Sequence, residues 1–131
     1  MIGEGSFGTV RLGYKTNNPQ KKYAIKSILR VNIEKSRTNL IDLEHELNIL
    51  ISVDHPYICR FYEVYLDHMY VHLVMEYCEG GDVYEKLKAK VTFKEDEAKK
   101  IVKQCLLALQ HLHLNKIVHR DIKLENVLVQ G

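Results

Sequence analysis

The run His119-Arg120-Asp121-Ile122-Lys123-Leu124-Glu125-Asn126 constrains this chain more than any other stretch. It is polar apart from Ile122 and Leu124, and the apolar pairs Ile117-Val118 and Val127-Leu128 flank it. A charged cluster between two apolar pairs predicts a loop carried by two short strands. A solvated turn of mixed charge is the bland alternative. Matching H-R-D-x-K-x-x-N at five fixed positions by chance, however, occurs about once in a few million starts at average residue usage.

Two upstream features belong beside it. Gly3-Glu4-Gly5-Ser6-Phe7-Gly8-Thr9-Val10 is a G-x-G-x-x-G-x-V run. Glycines at those offsets let the backbone approach phosphate oxygens and present N–H groups to negative charge. Alone the signal is weak, since three such glycines arise at about one start in 3,000. A dinucleotide-binding loop needs a strand before the glycines and a helix after them; here the following residues are β-branched and alternating. A plain hairpin also remains open. In Tyr23-Ala24-Ile25-Lys26-Ser27-Ile28, strand alternation puts Ala24, Lys26 and Ile28 on one face, which suits a cleft holding a flat base and its phosphates. A surface lysine at a strand end is the alternative. Glu46 sits within the helical stripe Leu40, Leu43, Leu47, Leu50, where a carboxylate is costly unless paired. Lys26 is the expected partner, because consecutive elements tend to be neighbours; the competing reading has Glu46 reaching out to the edge of the stripe.

The organisation is strands first and helices second, which argues α+β. Val10, Leu12 and Tyr14 alternate, Asn17-Asn18-Pro19 makes a turn, and Tyr23 to Ile28 reads as the next strand. A helix follows and ends at Asp54-His55-Pro56. Strands at 59–65 and 70–76 meet at a tight turn around Asp67-His68. Asp82 opens a short helix, and Thr92-x-x-Glu95 forms a capping box for a long one with the apolar face Ala98, Ile101, Val102, Cys105, Ala108, Leu109 and Leu112. The border between the halves falls at Glu79-Gly80-Gly81, giving residues 1–79 and 80–131. Composition is that of an ordinary globular domain, with 46% hydrophobic and 27% charged residues, and the net charge of +2 gives no electrostatic case for nucleic acid. No apolar run reaches the roughly 20 residues that span a bilayer. Three widely spaced cysteines, Cys59, Cys78 and Cys105, suggest reduced thiols and a cytoplasmic or nuclear protein.

In this order the glycine run, Lys26, Glu46 and His119–Asn126 resemble the eukaryotic protein kinases, along essentially the whole chain. The resemblance implies a kinase-like α+β fold: a small lobe of antiparallel strands plus one helix, then the first helices and the catalytic loop of a helical lobe. It also implies ATP and magnesium. Gly3, Gly5 and Gly8 would cover the phosphates, and Lys26 would hold them while paired to Glu46. Ile2, Val10, Ala24 and Leu128 would enclose adenine. Met75 matches the position behind the base, and the backbone of Glu76 and Cys78 would hydrogen-bond it. Asp82 would take the ribose or a basic substrate residue, and Glu125 a basic residue upstream of the acceptor hydroxyl. Asp121 resembles the catalytic base, Lys123 the γ-phosphate ligand and Asn126 a magnesium ligand.

Lys123 within R-D-x-K-x-x-N resembles the serine/threonine class, so the implied partner is a protein substrate bearing Ser or Thr. The segments at 52–56 and 73–81 are most similar to calcium-dependent and calmodulin-regulated kinases, although no EF-hand loop occurs in the sequence. The family's D-F-G motif is not among the 131 residues either. The expectation is therefore a kinase fragment that does not transfer phosphate on its own, with an inactive nucleotide- or partner-binding piece as the alternative.

Overall fold

The computed structural model describes residues 3–5, 8–35, 40–90 and 92–131. They form two compact units: Met1–Asp54 with Arg60–Tyr77, and His55–Cys59 with Cys78–Gly131.

The first unit is a five-stranded antiparallel sheet. Its strands are β1 (Gly3–Gly5), β2 (Gly8–Lys15), β3 (Asn18–Leu29), β4 (Phe61–Leu66) and β5 (Tyr70–Glu76), in the order β1-β2-β3-β5-β4. The β2–β3 turn is Thr16-Asn17, one residue earlier than the sequence suggests, with Lys15 opposite Asn18. A register shift between Tyr14 and Lys15 draws Asn18 into the ladder. Pro19 is tolerated in β3 because β5 runs alongside only from Tyr23 onward, so its missing N–H breaks no bond on that side. Tyr23 and Ala24 point to opposite faces yet both are buried, so the sheet is covered on both sides there. Tyr23 meets Tyr62 edge-on at 5.4 Å, and Val71, Leu73 and Val74 of β5 complete the buried set. Two helices accompany the sheet where the sequence suggested one. Helix α1 (Arg30–Lys35) is too short to show an apolar period, and α2 (Leu40–Ser52) stops just before Asp54-His55-Pro56.

The β4–β5 turn hangs on one carboxylate. Asp67 Oδ1 accepts from the backbone N–H groups of Met69 at 2.7 Å and Tyr70 at 2.6 Å. Its Oδ2 lies 2.8 Å from His72 Nε2, and His72 Nδ1 lies 2.9 Å from Ser27 Oγ, so turn, β5 and β3 are stitched in sequence. The His72 hydrogen bond, followed by the two backbone N–H groups, lowers the Asp67 pKa from 3.8 to about 2.

In the second unit Asp82 caps α3 (Val83–Lys90), its Oδ1 accepting the Glu85 N–H at 2.8 Å. Helix α4 (Glu95–Leu114) starts later than a Thr92 cap implies. Lys94 stands at its N-cap, with the extended backbone that position needs, and the Lys94 N–H donates to Glu97 at 3.1 Å. The reciprocal half of a capping box is missing because lysine offers no side-chain acceptor. Ala98, Ile101, Cys105, Ala108 and Leu109 are half-buried and Leu112 is buried, as the apolar face requires. Val102 is the exception: it is 56% exposed and belongs to a second apolar strip with Leu106 and Leu107. Beyond α4 the chain reverses through Lys116, in the left-handed region at φ 62°, and the Ile117 N–H returns to the Leu112 carbonyl at 2.9 Å.

Two predictions follow from these local bonds. Lys94→Ser supplies the missing acceptor and removes a cation from the positive end of α4, so it should stabilise the second unit by about 1 kcal/mol, read as a higher melting temperature. Asp67 has a depressed folded pKa, so its contribution is complete above the ordinary carboxylate value and disappears as pH falls through about 2. Asp67→Ala should lower the melting temperature at neutral pH, and its deficit against the parent should shrink steadily between pH 3.8 and about 2.

Candidate functional site

In the first unit the sheet register lines up several of the candidate side chains. Gly3 stands opposite Val10, Val10 opposite Lys26, and Lys26 opposite Leu73; in the neighbouring row Leu12, Ala24 and Met75 are in line. Cross-strand partners share a face, so Val10, Ala24, Lys26 and Met75 lie on one side of the sheet. Ile2 lies outside the described residues. The backbones of Gly5 and Gly8 pair with each other. Gly8 has φ +157°, and a Cβ there would lie 2.1 Å from the Ser27 carbonyl oxygen. Glycine is therefore required at this point by the approach of β2 to β3, before any phosphate is considered.

Lys26 is half-buried, yet among the described residues it forms no ion pair, and Glu46 is exposed. The pairing expected from the sequence is not made. Helix α2 lies against β4, and β5 separates β4 from the strand that carries Lys26. The half-buried residues in its second half are Leu47, Ile49, Leu50 and Ile51, so the covered face does not extend to Glu46. The side chains of Leu40 and Leu43 lie outside those described.

The second unit holds the other cluster. Residues 127–129 run beside 80–83, through Gly80 N–H to the Val129 carbonyl at 2.9 Å, Val129 N–H to Gly81 at 2.8 Å and Val83 N–H to Val127 at 2.9 Å. This pairing sets Leu128 directly opposite Asp82. It is an isolated bridge, and the two flanking strands expected from the apolar pairs are not formed: residues 117–118 have no strand partner, and Leu124–Asn126 is a single 3-10 turn. Gly80 is needed for the close pairing, since a Cβ there would lie 2.4 Å from the Val129 carbonyl oxygen. Gly81 has φ +68°, a conformation glycine adopts without cost. Asp82 is half-buried and its Oδ1 is engaged at the α3 cap, while Cys78, also half-buried, keeps its thiol.

Within the loop, three side chains converge. Asn126 Nδ2 donates to the Asp121 carbonyl at 2.8 Å and to Asp121 Oδ2 at 3.1 Å, and Lys123 Nζ lies 3.5 Å from the same Oδ2. His119 Nδ1 accepts the Asp121 N–H at 3.1 Å, and Arg120 occupies the left-handed region at φ 69°. That conformation costs a residue with a side chain about 1–2 kcal/mol, a strain that tends to persist where function demands it. Glu125 is exposed on the 3-10 turn, and no hydrogen bond ties it to Asp121. The roles of His119 as acceptor and of the two glycines were not read from the sequence; the first needs the turn geometry and the second the 127–129 pairing. The cluster presents a carboxylate, an ammonium and an amide, all exposed. Asn126 spends its NH2 on Asp121, and among the described residues no donor bonds its amide oxygen, leaving a hard oxygen ligand of the kind magnesium takes.

The chain matches known proteins along its whole length. The protein kinase domain family model matches residues 1–131. Similar proteins include a probable myosin light chain kinase of Dictyostelium discoideum, 39% identical over 128 residues, covering 98% of this chain and 26% of that protein. Calcium-dependent protein kinase 5 of Plasmodium berghei is 41% identical over 128 residues, covering 97% of this chain and 22% of its own length. Serine/threonine-protein kinase KIN4 of Saccharomyces cerevisiae is 36% identical over 132 residues, covering 98% and 16%. The chain thus spans about a quarter or less of the length of these relatives. With a family match over every residue, an antiparallel sheet followed by helices, and the H-R-D-x-K-x-x-N loop in place, this chain belongs to the protein kinase family.

Proposed function

We propose that this chain supplies the nucleotide-facing and base-bearing parts of a serine/threonine protein kinase, which moves the γ-phosphate of ATP to a protein hydroxyl. The observation that carries the reading is the convergence of Lys123 and Asn126 on the Asp121 carboxylate, at 3.5 and 3.1 Å. Asp121 orients the acceptor hydroxyl and takes its proton, and Lys123 balances the negative charge beside it. Asn126 fixes the Asp121 carboxylate while holding out its own amide oxygen for magnesium. Bound MgATP supplies the phosphoryl group and the charge-neutralising cation.

In the first unit, the half-buried Lys26 ammonium is the cation for the phosphates, under backbone kept close by Gly3, Gly5 and Gly8. Val10, Ala24 and Met75 form the apolar side of a base site, with the backbone of Glu76 as its hydrogen-bonding edge. Glu46 takes up Lys26 when α2 moves toward β3. Asp82 and Glu125 are the acids for ribose or for basic substrate residues. The name of the Plasmodium relative makes calcium-linked regulation the natural extension, exerted from outside these residues.

The test uses the intact protein that carries this region, with MgATP and a basic Ser/Thr peptide. Asp121→Asn should cut turnover by about a hundred- to ten-thousand-fold while leaving nucleotide binding intact. Lys26→Met should remove the thermal stabilisation given by MgATP. Turnover that survives Asp121→Asn would overturn the assignment of the base. A thermal shift with MgATP but no turnover in the parent would favour an inactive nucleotide-binding protein instead.

A further inference from the structure

The sheet has a second face, opposite Lys26, that the kinase chemistry does not use. Arg11, Ile25, Val74 and Glu63 stand in one row across β2, β3, β5 and β4, and Gly13, Tyr23 and Glu76 in the next. Beside these rows the β2–β3 hairpin and the start of β4 bring cations onto aromatic rings. Lys21 Nζ lies 4.9 Å from the Tyr62 ring centre and 5.4 Å from that of Tyr23. Lys15 lies 5.9 Å from Tyr23, and Arg60 lies 5.7 Å from Tyr62.

The carboxylates nearby are already engaged. Glu63 holds Lys15 at 2.6 Å, Asp54 lies 3.5 Å from Arg60, and Glu76 accepts the Arg60 backbone N–H at 3.2 Å. Arg11 and Lys21 are exposed and, among the described residues, have no carboxylate within ion-pair distance. Ile25, opposite Arg11, is half-buried over Gly13, where a Cβ would lie 2.4 Å from Ile25 Cδ1, so an apolar side chain fills the space that glycine leaves.

We propose that this face docks an extended acidic segment of a protein partner. The carboxylates of that segment pair with Lys21 and Arg11, and an apolar side chain of the segment packs on the half-buried Ile25 and Tyr62. Lys21 suits this role because two rings already hold its ammonium in place, which lowers the entropy lost on pairing. The half-buried Tyr62 ring adds contact area that a scattered set of lysines would lack. Both arguments concern only the first unit, so the proposal stands whether or not phosphate transfer occurs.

Fluorescence anisotropy of the intact protein, without ATP, tests it. The probe is a labelled peptide rich in Glu and Asp around one Leu, and the comparison peptide replaces every acid by its amide. The acidic peptide should bind about ten-fold or more tightly than the amide peptide, and its affinity should fall as salt is raised. Lys21→Gln and Arg11→Gln should each weaken it several-fold with unchanged melting temperature, while Lys99→Gln on α4 should not. Equal binding of the two peptides, indifference to Lys21→Gln and Arg11→Gln, or an equal loss with Lys99→Gln would each sink the proposal. So would capture of the protein by phosphatidylserine vesicles that depends on Lys21 and Arg11 when the peptide does not bind, because the surface would then be a membrane contact.

Discussion

The loop depends on one amide. Asn126 reaches back five residues to hold both the carbonyl and the carboxylate of Asp121, and that pair of bonds closes the turn from His119 to Asn126. Arg120 can stay in the left-handed region because its neighbours are pinned on both sides, by the His119 to Asp121 bond before it and the Asn126 bonds after it. An exposed carboxylate on a free loop would sample many directions. Here its direction is fixed by groups that are themselves polar and solvent-facing, so the loop keeps its geometry without burying a charge. The same amide leaves its oxygen outward, and one side chain thereby serves both as brace and as prospective metal ligand.

Much of this was legible from residue order alone. The H-R-D-x-K-x-x-N spacing marked the loop, but the closure of its turn by the Asn126 amide on Asp121 was not read from it and needs the turn geometry. The alternation of Ala24 and Lys26 correctly put both on one face, because strand geometry leaves no other choice. Asp82 announced its helix, and Asp54-His55-Pro56 stopped another, since capping and the residue before proline are local effects. The α4 cap was misplaced for the same local reason in reverse. Thr92 offers an acceptor and Lys94 offers none, yet Glu97 satisfies the backbone N–H of Lys94 and the helix begins there.

The Lys26–Glu46 pair shows where such reading stops. A carboxylate at a stripe position implies a partner only if that part of the helix is covered, and coverage is a property of the whole unit. Helix α2 rests on β4 through its second half, which leaves Glu46 solvated and removes the desolvation cost that made pairing necessary. In the kinase reading the two groups have to meet for phosphate binding. In that reading Glu46 gives up no buried contact by moving, and its pairing with Lys26 is driven by the contacts made in the paired arrangement.

Gly8 carries the remaining tension between packing and chemistry. The glycine run was read as an adaptation to phosphate, but the Ser27 carbonyl alone forbids a side chain at Gly8. The two demands fall on the same strand, because β2 carries Gly8 against β3 and Val10 opposite Lys26. In the kinase reading a substitution at Gly8 therefore disturbs sheet closure and nucleotide approach together, whereas Lys26 separates them: its ammonium makes no ion pair among the described residues, so changing it leaves the sheet register intact. Loss of nucleotide binding at Lys26 speaks about chemistry, and loss at Gly8 speaks first about folding.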